Sequence, residues 1–286
     1  MHEANERALR KQLVQASHLC YQQGLLVALD GNLSVRLSGE LILCTPAGCH
    51  KGMIEEDDLI VVDLQGKRLR GGGEPTSELA MHLACYRQRP DIRAVVHAHP
   101  PTCIAFTVAG VSMARCVLPE VVLTLGVVPT LDYDTTGTQA LADRVGSAML
   151  RHDAVMMDRH GAVCVGSSPL DAFCKLETME HMAKIMKAAR DLGQLRDLPA
   201  EESQALRSMG LKRYGGPPAA LAMADQPGAD LPEACTGCSG CTNPSDEGLA
   251  PTAGFSVARI TNTEIIPWQR QALEREVRKA ISEVLG

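Results

Sequence analysis

The stretch AVVHAHPPT, residues 94–102, places two histidines one residue apart at the end of an apolar run. Residues i and i+2 of an extended strand point to the same face, so His97 and His99 are expected to aim their rings at one point. That point lies just past the last buried residues of the strand. The pattern predicts a strand that ends in a pair of metal ligands.

Two imidazoles hold a metal ion poorly, and a catalytic zinc site needs a third ligand together with an open position for substrate. His160 in MMDRHGAV, residues 156–163, follows a β-like run and precedes a glycine, where the chain is able to turn sharply and present the ring. We predict His160 as the third ligand. His82 and His50 are weaker candidates, because one lies on a helix and the other in a loop.

The surrounding sequence alternates short β-rich runs with helical ones, which indicates an α/β protein. An amphipathic N-terminal helix would bury Leu9, Leu13 and Ala16, and a long helix would begin at Ser168 as N-cap, with Pro169 and Asp171 in its first turn. The predicted strands are residues 33–37, 41–45, 59–64, 94–99, 154–157 and 161–166. The other predicted helices are residues 78–88, a short segment after Pro101, and residues 139–150.

Composition excludes several classes of protein. The 286 residues carry a formal net charge of -6 with no basic cluster, which argues against a nucleic-acid partner. No apolar run approaches the ~18 residues of a membrane span, and the charged N-terminus is unlike a secretory signal, so we expect a cytoplasmic protein without a membrane partner. Most of the eleven cysteines should then be reduced, packed thiols; these are Cys20, Cys44, Cys85, Cys103, Cys116, Cys164 and Cys174.

Three loops carry small and polar residues suited to an anion. In GEPTSELAMHL, residues 73–83, Thr76 or Ser77 would cap a helix that opens at Glu78, and the helix start offers N–H groups and hydroxyls to a phosphate. Gly31 and Asn32 in DGNLSVRL form the second loop, and Gly48 in TPAGCHKGM lies in the third. Each loop alone is an ordinary turn, and Glu78 alone would simply complement the helix dipole.

The order of these motifs is more specific than any one of them. G-N-x-S-V-R, T-P-x-G, P-T-S-E, H-x-H-P and H-G, in this spacing, resemble the class II aldolase and adducin head family, and within it the fuculose-phosphate aldolases. The resemblance covers residues 5–215. We therefore take residues 1–215 as the catalytic domain. It implies a three-layer α/β/α fold with a central, mainly antiparallel sheet. It also implies a C4 homotetramer with active sites at the subunit interfaces.

The same resemblance implies roles for individual residues. It makes His97, His99 and His160 the ligands of one Zn²⁺ per subunit, with Glu78 in the fourth position when substrate is absent and as the catalytic acid-base. The phosphate of a small sugar phosphate would contact Gly31, Asn32, Gly48, Thr76 and Ser77. Tyr214 would reach a neighbouring active site to assist protonation. Ala47 departs from the pattern, because the fuculose-phosphate enzymes have a threonine there.

The activity that this resemblance implies is zinc-dependent retro-aldol cleavage of a ketose 1-phosphate of the fuculose or rhamnulose type. The products would be dihydroxyacetone phosphate and an aldehyde such as lactaldehyde. Sugar-phosphate 4-epimerase relatives carry Asp at the position of Glu78, whereas methylthioribulose-1-phosphate dehydratase relatives use a glutamate near the position of Glu120. Non-enzymatic adducin-like scaffolds lose the zinc histidines, which this chain retains.

Composition changes after Tyr214. Residues 216–255 are rich in Gly, Pro and Ala and predict a flexible linker. The linker contains Cys235, Cys238 and Cys241 in a C-x-x-C-x-x-C pattern, which indicates a second metal or cluster site, redox-active thiols or unstructured thiols. Residues 256–286 predict an amphipathic docking helix that resembles the encapsulation peptides of bacterial microcompartments. Its partner would be a shell protein in a microcompartment lumen or the helix's own oligomer.

Overall fold

The computed structural model describes residues 2–217, with side chains from residue 5 onward. Seven α-helices, one short 3-10 helix (Glu56–Asp58) and eight strands lie within this range. The helices are α1 (His2–Gln22), α2 (Leu79–Gln88), α3 (Pro101–Val108), α4 (Pro119–Thr124), α5 (Gln139–Met149), α6 (Pro169–Leu192) and α7 (Ala200–Tyr214). The strands are β1 (Asn32–Ser38), β2 (Leu41–Cys44), β3 (Ile60–Asp63), β4 (Arg68–Arg70), β5 (Ala94–Ala98), β6 (Thr130–Leu131), β7 (Ala154–Met157) and β8 (Gly161–Gly166).

The eight strands form one sheet in the order β4-β3-β2-β1-β5-β8-β7-β6. Neighbouring strands are antiparallel except for β6 and β7, which are parallel. The strand that ends in the H-x-H motif, β5, lies between β1 and β8. In this register His97 is opposite Asn32 on one side and Val163 on the other. The sheet therefore brings the motif beside the start of β1 and the turn that precedes β8.

Alternation along the strands divides the interior into two cores. Leu33 and Val35 of β1, with Val96 of β5, pack in one core beside residues of α1, α3 and α6. Val95 of β5 points the other way and packs in a second core beside residues of α2 and α5. Helices thus cover both faces of a mostly antiparallel sheet, which is the α/β/α arrangement expected from the sequence.

Most predicted elements are confirmed within a residue or two. Ser168 caps α6 through its hydroxyl, which accepts from the Asp171 N–H at 3.1 Å, and Leu9, Leu13 and Ala16 of α1 are buried. The start of α2 is a correction, because the helix begins at Leu79 and the N-cap is Glu78 rather than Thr76 or Ser77.

Helices α4 and α7 have no counterpart in the sequence prediction. Helix α7 buries only Ser203 and Gly210, so it lacks the apolar periodicity on which the prediction depends. Helix α4 is six residues long, too short for a periodic signal. An added Cβ at Gly210 would come within 2.9 Å of the Leu123 backbone, so a missing side chain lets α7 pack closely against α4.

The cysteine prediction holds for Cys20, Cys44, Cys85, Cys103 and Cys164, which are buried. It is wrong for Cys174, which is exposed on α6, and Cys116 is only half-buried. No helix within residues 2–217 is long and apolar enough to cross a membrane.

Candidate metal centre

Three histidines from different parts of the sheet converge on one point. His97 is on β5, His99 follows the end of that strand, and His160 lies in the turn between β7 and β8. The ring centroids are 4.9 Å apart for His97 and His99, 4.8 Å for His97 and His160, and 5.3 Å for His99 and His160. One ring nitrogen from each lies within 4.8 Å of the others, which is a grouping that could hold a metal ion. The structure therefore brings together the three histidines that the sequence singled out.

In His97 and His99, the Nδ1 atom has an oxygen partner, which leaves the Nε2 atom available to a metal ion. His97 Nδ1 lies 2.9 Å from the Ala162 carbonyl oxygen, to which it can only donate. His99 Nδ1 lies 3.5 Å from an Asp30 carboxylate oxygen, and His99 Nε2 lies 3.1 Å from His97 Nε2. A hydrogen bond on one ring nitrogen fixes the tautomer and turns the other nitrogen's lone pair toward a metal.

The Glu78 carboxylate lies beside the three histidines and contacts two of them. Its Oε2 is 3.1 Å from His97 Nε2, its Oε1 is 3.3 Å from His160 Nε2, and Asn32 donates to Oε2 at 3.0 Å. Burial raises the pKa of Glu78, but His97, His160 and Asn32 together outweigh it and hold the pKa well below its usual range. Burial, reinforced by the neighbouring His97 and His160, lowers the pKa of His99 to about 4. The centre thus places three imidazoles around one carboxylate.

This donor set fits a divalent cation. With Nδ1 of His97 donating to Ala162, its Nε2 faces a carboxylate oxygen of Glu78, and a cation bound between these two atoms would satisfy both. Glu78 Oε1 and His160 Nδ1 are also buried without a hydrogen bond among the described residues. Three imidazoles and a carboxylate suit Zn²⁺ and also accept Co²⁺, Mn²⁺ or Fe²⁺.

The turn that carries His160 differs in detail from the sequence prediction. The left-handed residue is Arg159, with φ 54°, and not the glycine that follows the histidine. Gly161 matters for space, because an added Cβ would lie 2.5 Å from the Ala98 carbonyl oxygen, 2.7 Å from His99 Cδ2 and 3.0 Å from His97 Cε1. Because Gly161 has no side chain, the start of β8 packs directly against the H-x-H motif.

The three loops predicted to bind phosphate meet beside the centre through Thr45. The Thr45 N–H donates to the Leu33 carbonyl at 3.0 Å, its hydroxyl accepts from the Leu33 N–H at 3.2 Å, and its carbonyl accepts from the Thr76 N–H at 3.2 Å. Gly31 has φ 66°, and a Cβ there would lie 2.8 Å from the His97 carbonyl oxygen. The loop before β1 therefore needs glycine to pass this close to the metal ligands.

A buried lysine connects two of these loops, and the sequence analysis missed it. Lys51 is 2 % exposed, and its ammonium donates to the carbonyls of Leu29 at 2.7 Å and Cys49 at 3.0 Å. Burial lowers the pKa of Lys51, and nearby Asp30 and Glu78 oppose that shift. A lysine inside a Gly-rich loop was the available signal.

The remaining predicted site residues are less closely engaged. The Thr76 hydroxyl accepts from the Glu78 N–H at 3.4 Å, so part of the helix start is already used, and Ser77 and Gly48 are exposed. Tyr214 is the last residue of α7; its side chain is 57 % exposed and lies under the guanidinium of Arg213. Within residues 2–217 it makes no hydrogen bond to the metal centre. The C-x-x-C-x-x-C motif and the docking helix lie outside the described residues.

Fold and site together define a metal-dependent enzyme whose centre is built from H-x-H at a strand end, a third histidine in a turn and a helix-capping glutamate. Residues 11–186 match the Class II Aldolase and Adducin N-terminal domain family. That match spans more than half of the chain, and the protein belongs to this family. A three-histidine metal site of this kind is typical of class II aldolases.

The proteins similar to this chain are named for different substrates and reactions. An L-fuculose phosphate aldolase of Methanococcus vannielii is 37% identical over 175 residues, which cover 61% of this chain and 93% of that protein. A 3-oxo-tetronate 4-phosphate decarboxylase of Haemophilus influenzae is 31% identical over 182 residues, covering 62% of this chain and 86% of that protein. The crystal structure of YgbL from Klebsiella pneumoniae, described as an aldolase/epimerase/decarboxylase, aligns with TM-score 0.66 and 30% identity over 71% of this chain and 99% of that one.

Proposed function

We propose that the protein cleaves a ketose 1-phosphate by a reversible retro-aldol reaction to dihydroxyacetone phosphate and an aldehyde such as lactaldehyde. The observation that carries the proposal is the Glu78 carboxylate, held at 3.1 Å from His97 and 3.3 Å from His160. A carboxylate at a metal centre is a proton carrier next to a Lewis acid, which is what cleavage of a carbon–carbon bond beside a ketone requires. The likeness to the Methanococcus fuculose phosphate aldolase supports this reaction.

In the cleavage direction the C4 hydroxyl gives its proton to the Glu78 carboxylate, the C3–C4 bond breaks, and its electron pair passes to C3 as the aldehyde leaves. When bound, Zn²⁺ held by His97, His99 and His160 supplies Lewis-acid stabilisation of the negative charge that develops at the ketone oxygen. Glu78 then returns a proton to C3 to give dihydroxyacetone phosphate. Tyr214 from a neighbouring subunit would assist proton transfer on the aldehyde side.

The loop cluster around Thr45 would hold the substrate phosphate through Gly31, Asn32, Gly48, Thr76 and Ser77. Three chain segments meet there, and Lys51 places a positive charge behind two of them. Ala47 supplies no hydroxyl, so the phosphate receives one contact fewer than in the fuculose-phosphate enzymes. We therefore expect weaker binding of the phosphate than in those enzymes.

Glu120 favours a second candidate, dehydration of methylthioribulose 1-phosphate. It is in the first turn of α4 and lines a cavity together with Leu25, whose carbonyl accepts from the His99 N–H at 2.9 Å. In that reaction Glu120 would be the residue that carries the proton. Decarboxylation of a 3-oxo acid phosphate is a third candidate, from the likeness to the Haemophilus decarboxylase. Epimerisation at C4 would use the same bond cleavage followed by re-addition of the aldehyde.

Product analysis separates these reactions. The metal-loaded enzyme is mixed with fuculose 1-phosphate, rhamnulose 1-phosphate, methylthioribulose 1-phosphate or a 3-oxo-tetronate 4-phosphate, and the products are followed by proton NMR. Release of dihydroxyacetone phosphate with an aldehyde supports the proposal. Loss of water, release of carbon dioxide or epimerisation without net cleavage would each overturn it in favour of the corresponding relative.

Assembly and the C-terminal segment complete the proposal. We expect a C4 homotetramer, as the resemblance to the fuculose-phosphate aldolases implies, with Tyr214, exposed at the end of α7, acting in a neighbouring subunit. Light scattering after size-exclusion chromatography should give four times the chain mass, and a monomeric active enzyme would contradict it. Residues 256–286 are proposed to dock on microcompartment shell proteins. Deleting residues 262–286 should leave turnover unchanged and abolish co-purification with shell proteins; unchanged association would end that idea.

A further inference from the structure

A line of buried polar side chains leads from the metal centre into the interior between β1 and α2. Asn32 donates to Glu78 Oε2 at 3.0 Å, and the Asn32 Oδ1 atom is 2.6 Å from His82 Nε2. His82 Nδ1 is 2.6 Å from the Ser34 hydroxyl, which is 2.9 Å from the Tyr86 hydroxyl. The side chains from Asn32 to Tyr86 are at most 4 % exposed. The chemistry proposed above leaves Ser34, His82 and Tyr86 without a role.

The arrangement follows from the periods of the two elements. Asn32 and Ser34 are two residues apart on β1 and share a face of the strand, whereas Glu78, His82 and Tyr86 are four residues apart at the start of and along α2. Packing α2 on this face of the sheet pairs the two rows. The sequence signal is N-x-S in one element with E-x-x-x-H-x-x-x-Y in another.

The donors and acceptors along this line have one consistent direction. The Glu78 carboxylate only accepts, so the Asn32 amide nitrogen must face it and the Asn32 oxygen must face His82. His82 therefore carries its proton on Nε2, and Nδ1 accepts from the Ser34 hydroxyl. The Ser34 oxygen in turn accepts from the Tyr86 hydroxyl. Burial lowers the pKa of His82 to about 3 and raises that of Tyr86, which keeps both groups neutral as this direction requires.

We propose that His82 is a positioning residue that sets the orientation of the Asn32 amide and thereby holds the Glu78 carboxylate in place. On the interior side of Asn32, the group along this line that contacts its amide is the Nε2–H of His82. Because this N–H donates, it favours the amide oxygen over the amide nitrogen at that position. With the amide reversed, its oxygen would face the carboxylate and repel it. The line ends at Glu78 Oε2, the atom that is also 3.1 Å from His97. The effect of His82 on turnover rests on the proposed function, whereas the effect of His82 on the position of the Glu78 carboxylate does not.

The test compares His82→Leu with His82→Gln, the conservative variant whose amide N–H can still donate to Asn32. For His82→Leu we expect kcat to fall about 10- to 100-fold, the range typical when a group that orients a site residue is lost, with KM and bound metal close to wild type. His82→Gln should recover most of kcat. Equal losses in both variants, or an unchanged kcat in His82→Leu, would overturn the proposal. A loss confined to KM or to bound metal would also overturn it.

Crystal structures of both metal-loaded variants give a readout that does not depend on the substrate. The Asn32 Nδ2 to Glu78 Oε2 contact, 3.0 Å in the native chain, should persist in His82→Gln and lengthen or reverse in His82→Leu. If the wild-type enzyme releases no dihydroxyacetone phosphate, the proposed function fails while this structural comparison still tests the positioning role. An unchanged Glu78 carboxylate in His82→Leu would contradict that role in either case.

Discussion

The Nε2 atoms of His97 and His99 lie 3.1 Å apart, while Nδ1 of His97 is held on the far side of its ring by the Ala162 carbonyl. The sheet register fixes this relationship, because β5 places His97 opposite Val163 one residue from that carbonyl. Two imidazole nitrogens so close together, with a carboxylate beside them, form a prearranged chelate for a cation.

Removing one histidine should therefore remove the metal. We expect close to one metal ion per chain in the purified wild-type protein and strongly reduced content in His97→Ala, because two imidazoles bind a divalent ion weakly. Elemental analysis by mass spectrometry measures this. His181→Ala, which changes an exposed histidine on α6, is the matched control and should keep its metal. Equal metal content in the two variants would contradict the assignment of His97 as a ligand.

A methyl group at Gly161 should disturb the centre without changing any ligand. The Cβ of Gly161→Ala would lie 2.7 Å from His99 Cδ2 and 2.5 Å from the Ala98 carbonyl oxygen, so β8 or the H-x-H motif must shift. We expect metal affinity to fall at least about tenfold, as is typical when ligand orientation is disturbed. Titration with a chromogenic chelator measures the affinity. Gly72→Ala, where nothing lies within 4 Å of the added Cβ, should bind metal as the wild type does.

Lys51 should affect substrate affinity more than turnover. Its ammonium holds the carbonyls of Leu29 and Cys49, on two of the loops proposed to bind phosphate. Lys51→Met removes the charge and both hydrogen bonds, so KM for a phosphorylated substrate should rise about tenfold or more, the effect of about 1.4 kcal/mol of lost binding. Steady-state kinetics measures it, with the exposed Lys67→Met as control. A fall in kcat with KM unchanged would place Lys51 outside the substrate-binding loops.

Asp153, Arg89 and Lys175 form a buried ion cluster away from the metal centre. This cluster should contribute more to the free energy of unfolding than an exposed ion pair does. The Asp153 carboxylate accepts from Arg89 and from Lys175, each at 2.9 Å, and the Arg89 side chain is 2 % exposed. Asp153→Ala removes one of the two carboxylates that pair with the buried Arg89, while Asp91 at 2.7 Å remains, and should cost about 2–3 kcal/mol of unfolding free energy. The exposed pair between Arg115 and Asp197 offers a contrast, since Asp197→Ala should cost about 1 kcal/mol or less. Urea unfolding compares them, and equal losses would contradict this ranking.

The sequence predicted the parts of the fold that have strong periodic signals. The β5 run with its H-x-H, the β7–β8 pair around His160 and the N-terminus of α6 are all local patterns, and the structure confirms them. Helices α4 and α7 were missed because one is short and the other buries few of its residues. Periodicity is visible only where one face of an element is buried.

The metal ligands were predictable for a similar reason, and their supporting residues were not. His97 and His99 are separated by one residue and point the same way by the strand period alone. The contacts of His82 were not predictable, because its partners Asn32 and Ser34 are about fifty residues away in the chain. Which residues face each other across a strand and a helix depends on packing that a single sequence does not contain.

The most direct test of the central claim is the turnover of metal-loaded Glu78→Gln. Glutamine keeps the shape of the side chain but cannot carry a proton, so dihydroxyacetone phosphate release should fall about 100-fold or more, the range for loss of a general acid-base. Metal content is measured in the same sample, and Glu74→Gln, an exposed glutamate four residues earlier, is the control that should keep full activity. Glu78→Gln with bound metal and nearly full cleavage activity would contradict the account, whereas bound metal with lost cleavage is the result that it predicts.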